Sequence, residues 1–171
     1  DHCSQIVGYV RDFKARALYC GAVDMQYHSG PRLYTGPQHY AYVRIADGCD
    51  NFCSYCAIPH IRGRYRSRAQ DDILQEVRLL AGRGVREIIL VAQDTTRYGM
   101  DTDACSLAEL LHHTAQVPGV EWVRFLYAYP EMVTDELLDV MLSHENICNY
   151  VDIPIQHCCD DVLHRMNRRV T

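Results

Sequence analysis

Glu87-Ile88-Ile89-Leu90-Val91-Ala92 is a short, almost wholly apolar stretch, closed by Gln93-Asp94. It is too short for a buried helix and shows no alternation of apolar and polar positions. It therefore reads as a strand covered on both faces, the mark of a parallel sheet. Just before it, Asp71 to Gly82 carries Ile73, Leu74, Val77, Leu80 and Ala81 on one helical face. Asp71 and Asp72 sit in the first turn of that helix, and Gly82 and Gly84 are placed to end it. Earlier still, Tyr40 to Ala46 is rich in tyrosine and β-branched residues and reads as a strand. Strand, helix, buried strand is the βα unit.

The rhythm continues downstream. Ser106 and Glu109 match a capping box, opening a helix with Leu107, Leu110 and Leu111 inward. Val120 to Tyr129 reads as a third strand. Thr134 caps a third helix whose Leu137, Leu138, Met141 and Leu142 are expected to face inward. Val151 to Ile155 is expected as a fourth strand, although Pro154 cannot donate to a ladder, and Asp160 starts a fourth helix. Repeated βα units give an α/β fold, either an open sheet or a barrel, with ligands at the carboxyl ends of the strands.

Residues 1–37 differ in texture. Ile6, Val7, Val10 and Phe13 form a helical stripe, and Gly30-Pro31 and Gly36-Pro37 break the chain after it. The expected division is 1–37 as the end of a preceding domain with its linker, and 38–171 as the main domain, with the boundary near Gln38. A chain opening on Asp1 and stopping just after a helix begins is expected to be a piece of a longer protein.

Hydrophobic residues make up 48% of the chain and charged residues 23%, the balance of a soluble globular protein. No apolar run reaches the roughly 20 residues needed to span a bilayer, and no basic-then-apolar leader opens the chain. A cytoplasmic location and no membrane partner are the expectation. A net charge of −5 argues against DNA as a partner. Arg62, Arg64, Arg66 and Arg68 nevertheless crowd together, as a solvated stretch or as a site for a carboxylate.

Nine cysteines is an odd number, which with no leader points to a reducing compartment and some metal-bound thiols. Cys49-Asp50-Asn51-Phe52-Cys53-Ser54-Tyr55-Cys56 has C-x3-C-x2-C spacing just beyond the first strand. Thiolates suit zinc or iron–sulfur iron. A structural zinc site wants a fourth ligand, for which His60 is the nearest candidate. Three thiolates on a four-iron cubane leave one iron open to a ligand. The other six, Cys3, Cys20, Cys105, Cys148, Cys158 and Cys159, are expected as half-buried apolar residues.

The triad with Tyr55 before its last cysteine resembles the radical S-adenosylmethionine superfamily. Ile45-Ala46-Asp47-Gly48, Cys56-Ala57-Ile58-Pro59 and Arg62-Gly63-Arg64-Tyr65-Arg66-Ser67-Arg68 resemble its methylthiotransferase family. Within it, Val91-Ala92-Gln93-Asp94-Thr95-Thr96-Arg97-Tyr98-Gly99, Tyr127-Ala128-Tyr129-Pro130 and Asp152-Ile153-Pro154-Ile155-Gln156-His157 look like the protein-modifying branch, the RimO type. The sister branch modifies adenosine in transfer RNA and usually has Gly-Gln-Asn-Val at the first of these places.

The resemblance implies a partial (βα) radical-SAM barrel, of which this chain would supply the first four strands. It implies a 4Fe–4S cluster on Cys49, Cys53 and Cys56, with S-adenosylmethionine on the open iron. Tyr55 would lie near the adenine, and Gln93 and Gln156 would face the cofactor, unless each glutamine merely caps a strand end. The implied reaction adds methylthio to the β-carbon of an aspartate in small-subunit ribosomal protein S-twelve. An electron donor such as a flavodoxin is implied, as are a second 4Fe–4S cluster in an amino-terminal domain and a carboxyl-terminal TRAM domain. Cys3 and Cys20 are not assigned to that second cluster. Cys159 departs from the family, which usually has serine there. Asp94, Thr95 and Thr96 are expected at the rim, hydrogen-bonding a polar peptide loop. Two rivals stand beside this reading: a transfer RNA methylthiotransferase, and a non-catalytic module in which metal staples a loop.

Overall fold

A computed structural model describes residues 35–102 and 105–170. The stripe at Ile6–Phe13, the Gly30-Pro31 break, Cys3 and Cys20 lie outside them. In chain order the elements are β1 (Tyr40–Arg44), β2 (Ala46–Asp47), α1 (Ile58–Arg62), β3 (Arg66–Ser67), α2 (Gln70–Gly82) and β4 (Glu87–Val91). There follow α3 (Leu107–Ala115), β5 (Trp122–Phe125), α4 (Asp135–Ser143) and α5 (Asp160–Arg165).

β4 is the central strand of a parallel sheet ordered β1-β4-β5. Val43 lies opposite Leu90, and Leu90 opposite Phe125. These three, with Ala41, Ile88 and Val123, have no exposed surface and point to the face covered by α2 and α3. Ile73 and Val77 from α2, and Leu110 and Leu111 from α3, fill that side. Burying one such side chain stabilises the fold by roughly 1.5–3 kcal/mol before entropy is subtracted. The opposite face carries Tyr42, Arg44 and Trp122, all exposed, and an ion pair between Arg124 and Glu87. On that face only Ile89 is buried, between Tyr42 and Arg124, which explains the unbroken apolar run of β4.

Helix starts follow the caps read from sequence. Ser106 Oγ accepts from Glu109 N at 3.2 Å while Glu109 Oε2 accepts from Ser106 N at 2.8 Å. Thr134 Oγ1 accepts from Leu137 N at 3.3 Å. α4 buries less than expected, however: Leu137 and Met141 are inside, but Leu138 is 39% and Leu142 77% exposed. The helix lies beyond α3 and packs mainly on it, so only a narrow stripe meets apolar partners.

Two strand expectations need correcting. β5 is shorter than Val120–Tyr129, because Tyr127 adopts φ 65°, a left-handed conformation that ends an extended run. Val151–Ile155 forms no strand. The chain touches β5 earlier, through a single parallel bridge between Val123 and Ile147, and later meets the turn after β5, where Ala128 N donates to Asp152 O and Tyr127 N to Asp152 Oδ2. Pro154 has no N–H to extend a ladder, and its carbonyl accepts from Arg168 instead.

Candidate metal centre

The chain leaves the sheet at β1, crosses into the small antiparallel pair β2–β3, and enters the cysteine loop at Gly48. Gly48 has φ 76°, and a Cβ there would lie 2.1 Å from Arg64 O, so the turn admits only glycine. The close approach lets Cys49 N donate to Gly63 O at 3.2 Å.

Polar bonds from three directions hold the rest of the loop. From the arginine segment, Tyr65 N donates to Asp50 Oδ1 at 3.1 Å and Arg64 pairs with the same oxygen at 3.0 Å. From the end of β4, Asp94 Oδ2 accepts from Asn51 Nδ2 at 2.9 Å. From the end of α5, Asn167 Nδ2 donates to Phe52 O at 2.8 Å, and Ser54 N donates to Met166 O at 3.0 Å. Cys56 N donates to Cys53 O at 2.9 Å and closes a turn between the last two thiols.

Cys49 is buried, and Cys53 and Cys56 are half-buried. Burial pushes the Cys49 thiol up, a hydrogen bond from the Asn51 backbone pulls it back in part, and Asp94, Cys53 and Cys56 add to the rise. Cys53 and Cys56 thus lie within electrostatic reach of the Cys49 sulfur. Among the described residues no three His, Cys, Asp or Glu side chains converge as ligands of a single ion do. A four-iron cluster asks for wider spacing, since each thiolate meets a different iron. His60 sits exposed on α1.

Tyr129 Oη lies 3.3 Å from Cys53 Sγ. Arg168, only 6% exposed, stacks its guanidinium 3.8 Å over the Tyr129 ring, and its Nη1 is 3.9 Å from the same sulfur. Nη2 donates to Pro154 O at 2.9 Å, while the buried Nε makes no hydrogen bond among the described residues. None of the ion pairs among the described residues includes Arg168. A buried cation with no carboxylate among the described residues, beside one thiol of the triad, fits an anionic cluster in this loop.

Beside the loop, at the carboxyl ends of β1, β4 and β5, a cleft of about 320 Å³ is lined by Tyr42, Arg44, Asp47, Arg62, Gln93 and Tyr127 among others. Asp47 is buried there, its Oδ2 lying 3.7 Å from Arg62 and 3.8 Å from Arg44. Gln93 therefore stands where the strand-end rule puts a ligand contact. Gln156 is exposed, with φ 64°, in the loop before α5, and is not part of the cleft lining. Tyr55 is half-exposed; partial burial first and Cys53 second push its phenol up.

The arginine run is not simply solvated. Arg62 faces Asp47, Arg64 pairs with Asp50, Arg66 donates to Arg62 O at 3.4 Å, and Arg68 meets Glu76 at 2.7 Å. The rim expectation for Asp94, Thr95 and Thr96 is overturned, because all three are buried. Asp94 Oδ1 accepts from Thr96 Oγ1 at 2.6 Å, Arg97 pairs with Oδ2, and Thr95 Oγ1 donates to Leu126 O at 2.9 Å. They knit the loop to the strand ends and leave no group for a peptide.

Cys158 and Cys159 are exposed rather than half-buried, since they precede α5 in a loop left open to solvent among the described residues. Cys105 and Cys148 are half-buried as expected. Sequence reading missed Arg168 altogether and used Tyr129 only as part of a signature. Neither has a local signal for its role, since Cys53 is 76 residues from Tyr129 and 115 from Arg168.

The profile of the Radical SAM superfamily matches residues 43–171. The chain belongs to the radical SAM superfamily. Proteins named ribosomal protein uS12 methylthiotransferase RimO are similar to it. That of Clostridium tetani is 52% identical over 155 residues, covering 90% of this chain and 35% of the relative. That of Desulfitobacterium hafniense is 51% identical over 142 residues, covering 82% and 32%. The chain thus spans about a third of the length of the curated relatives it matches. Among solved structures, the radical S-adenosylmethionine methyltransferase TsrM from Kitasatospora setae, with cobalamin and a 4Fe–4S cluster bound, superposes with TM-score 0.57 at 18% identity. It covers 72% of this chain and 24% of its own. At that identity the likeness speaks for the fold alone, and it agrees with the α/β, partial-barrel expectation. No helix among the described residues is long and apolar enough to cross a membrane.

Proposed function

We propose that this chain is the core of a radical-SAM methylthiotransferase that adds a methylthio group to the β-carbon of an aspartate in ribosomal protein uS12. One observation carries the reading: 52% identity to a RimO protein over 90% of the chain. An alignment of 155 residues in a chain of 171 must include positions 49–56 wherever it begins. The likeness therefore runs through the cysteine loop itself.

Cys49, Cys53 and Cys56 would hold a 4Fe–4S cluster, leaving one iron for the amino and carboxylate groups of S-adenosylmethionine. Bound together, the two supply one-electron reductive cleavage of the sulfonium. The chain's own part is to orient and shield. The backbone beside Tyr55 would lie along the adenine, Gln93 would hydrogen-bond the cofactor from the end of β4, and Gln156 would reach it from the loop before α5. Arg62 and Arg44 would present positive charge to a carboxylate in the cleft, that of the cofactor or of the substrate aspartate.

In the parent protein, residues 1–37 would be the end of an amino-terminal domain bearing a second 4Fe–4S cluster, and 38–171 the radical-SAM core. A flavodoxin-type donor would supply electrons, in the cytoplasm where ribosomal protein is made. Deletion of the parent gene, followed by mass spectrometry of uS12 and of transfer RNA, tests the substrate. The methylthio group should vanish from uS12 and persist on transfer RNA. The reverse pattern would reassign the enzyme to the nucleic-acid branch while leaving the cluster ligands unchanged.

A further inference from the structure

Arg168 is unusual for a buried arginine. Its cation is met by the face of Tyr129, one backbone carbonyl and a thiol sulfur, and by no carboxylate among the described residues. Tyr129 presents its hydroxyl to the same sulfur from 3.3 Å. The two residues come from different elements, Tyr129 from the strand-end turn after β5 and Arg168 from the turn after α5, and they stack on each other beside Cys53. Packing alone does not explain the choice of side chains, since an apolar pair of the same size would fill the space without burying a charge.

Resting on the cluster assignment above, we propose that Arg168 and Tyr129 are positioning residues that set the charge balance at the Cys53 thiolate and so raise the reduction potential of the cluster. The physical basis is the sign of the charges. A four-iron core with three thiolates is anionic when oxidised and gains one more negative charge on reduction. A fixed positive charge near one ligand sulfur, and a hydroxyl able to donate to it, stabilise the more negative state more than the less negative one. Low local dielectric lets the guanidinium act at 3.9 Å without close hydrogen-bond contact. The stack on Tyr129 holds the guanidinium in place and brings the hydroxyl with it, so the pair works as a unit.

The test is a redox titration of the anaerobically reconstituted full chain, followed by electron paramagnetic resonance, on wild type, R168M, R168K and Y129F. Iron and sulfide content is measured on each sample. R168M removes the charge at similar volume and should shift the midpoint potential to more negative values. Y129F keeps the ring and loses the donor, and should shift it in the same direction by less. R168K retains a positive charge and should recover part of the wild-type value, which a purely structural role for Arg168 would not give. A wild-type potential in R168M at unchanged iron content overturns the proposal. Should R168M fail to take up the cluster, Y129F decides: a negative shift supports the proposal, and an unshifted potential ends it. A wild-type chain that takes up no four-iron cluster would instead break the functional reading.

Discussion

Phe125 and Cys53 are close to the same strand ends, yet different forces hold them. Phe125 has no exposed surface and is fixed by apolar contacts from the sheet and its covering helices. Cys53 lies in a loop with neither helix nor strand, held at Asp50, Asn51, Phe52 and Ser54 by polar bonds to distant segments. The sheet therefore needs only volume and burial, and tolerates apolar exchange. The loop needs particular donors and acceptors, and each bond depends on another element arriving correctly. Stability resides in the first region and chemistry in the second.

The sharpest break between them is all-or-none. Replacing Cys49, Cys53 or Cys56 by alanine should abolish the brown iron–sulfur chromophore of the reconstituted chain, with little change in the cooperative melt. C105A and C148A should keep the colour. Loss of colour from the two controls as well, or collapse of the melt in C53A, would mean that loop and sheet are not separable.

In the sheet, Phe125→Ala should cost about 3–5 kcal/mol in a denaturant titration, from a total stability of order 5–15 kcal/mol. Asp94→Ala should cost less, about 2–4 kcal/mol, because Arg97, which it pairs with, stays partly exposed. Its larger signature is local. Asp94 ties Asn51, Thr96 and Arg97 together, and its carbonyl accepts from Tyr65 Oη at 2.8 Å. Amide exchange across residues 49–56 should therefore accelerate in D94A and stay near wild type in F125A under native conditions. Equal acceleration in both would erase the distinction between the regions.

The same contrast explains what was legible beforehand. The βα rhythm shows in the sequence because burial imposes periodicity, and Ser106 and Thr134 mark helix starts through bonds a few residues long. The cysteine triad shows because its ligands are local. What stayed hidden depends on distant partners. Asp94, Thr95 and Thr96 look like rim groups until Asn51, Tyr129 and Leu126 supply their bonds. Arg168 carries no local pattern that points to Cys53. Val151–Ile155 has a strand's composition, but its pairing depends on what β5 offers, and Pro154 removes a donor.

A thiol outside the triad gives a smaller, pH-dependent effect. Burial, reinforced by Glu109, pushes Cys105 up to about 11. At pH 8 only about one molecule in a thousand would carry the thiolate there, and the thiolate is the nucleophile. Iodoacetamide should modify the exposed Cys158 and Cys159 first and Cys105 slowly, with the Cys105 rate rising about tenfold per pH unit up to that value. Peptide mass spectrometry reads all three in one experiment. Rapid Cys105 labelling at pH 8 would show that the start of α3 opens to solvent.

The smallest expected effect comes from α4, where sequence pattern and structure disagree. Periodicity groups Leu137, Leu138, Met141 and Leu142 on one inward face, but the helix packs on the core along Leu137 and Met141, with Val140 partly buried beside them. Leu137→Ala removes a side chain that is 2% exposed and should cost about 2–5 kcal/mol, at the lower end if the neighbouring side chains collapse into the space. Leu142→Lys replaces a side chain that is 77% exposed with another good helix former, so stability should stay within about 0.5 kcal/mol. The charge is not a confounder, because it lies in the last turn of α4, where a cation favours the helix dipole. A loss of several kcal/mol in L142K, read by thermal or urea unfolding of the same chain, would mean that Leu142 packs against something in solution. The apolar stripe of α4 would then be as wide as the periodicity says, and the helix would belong to the buried region rather than to its edge.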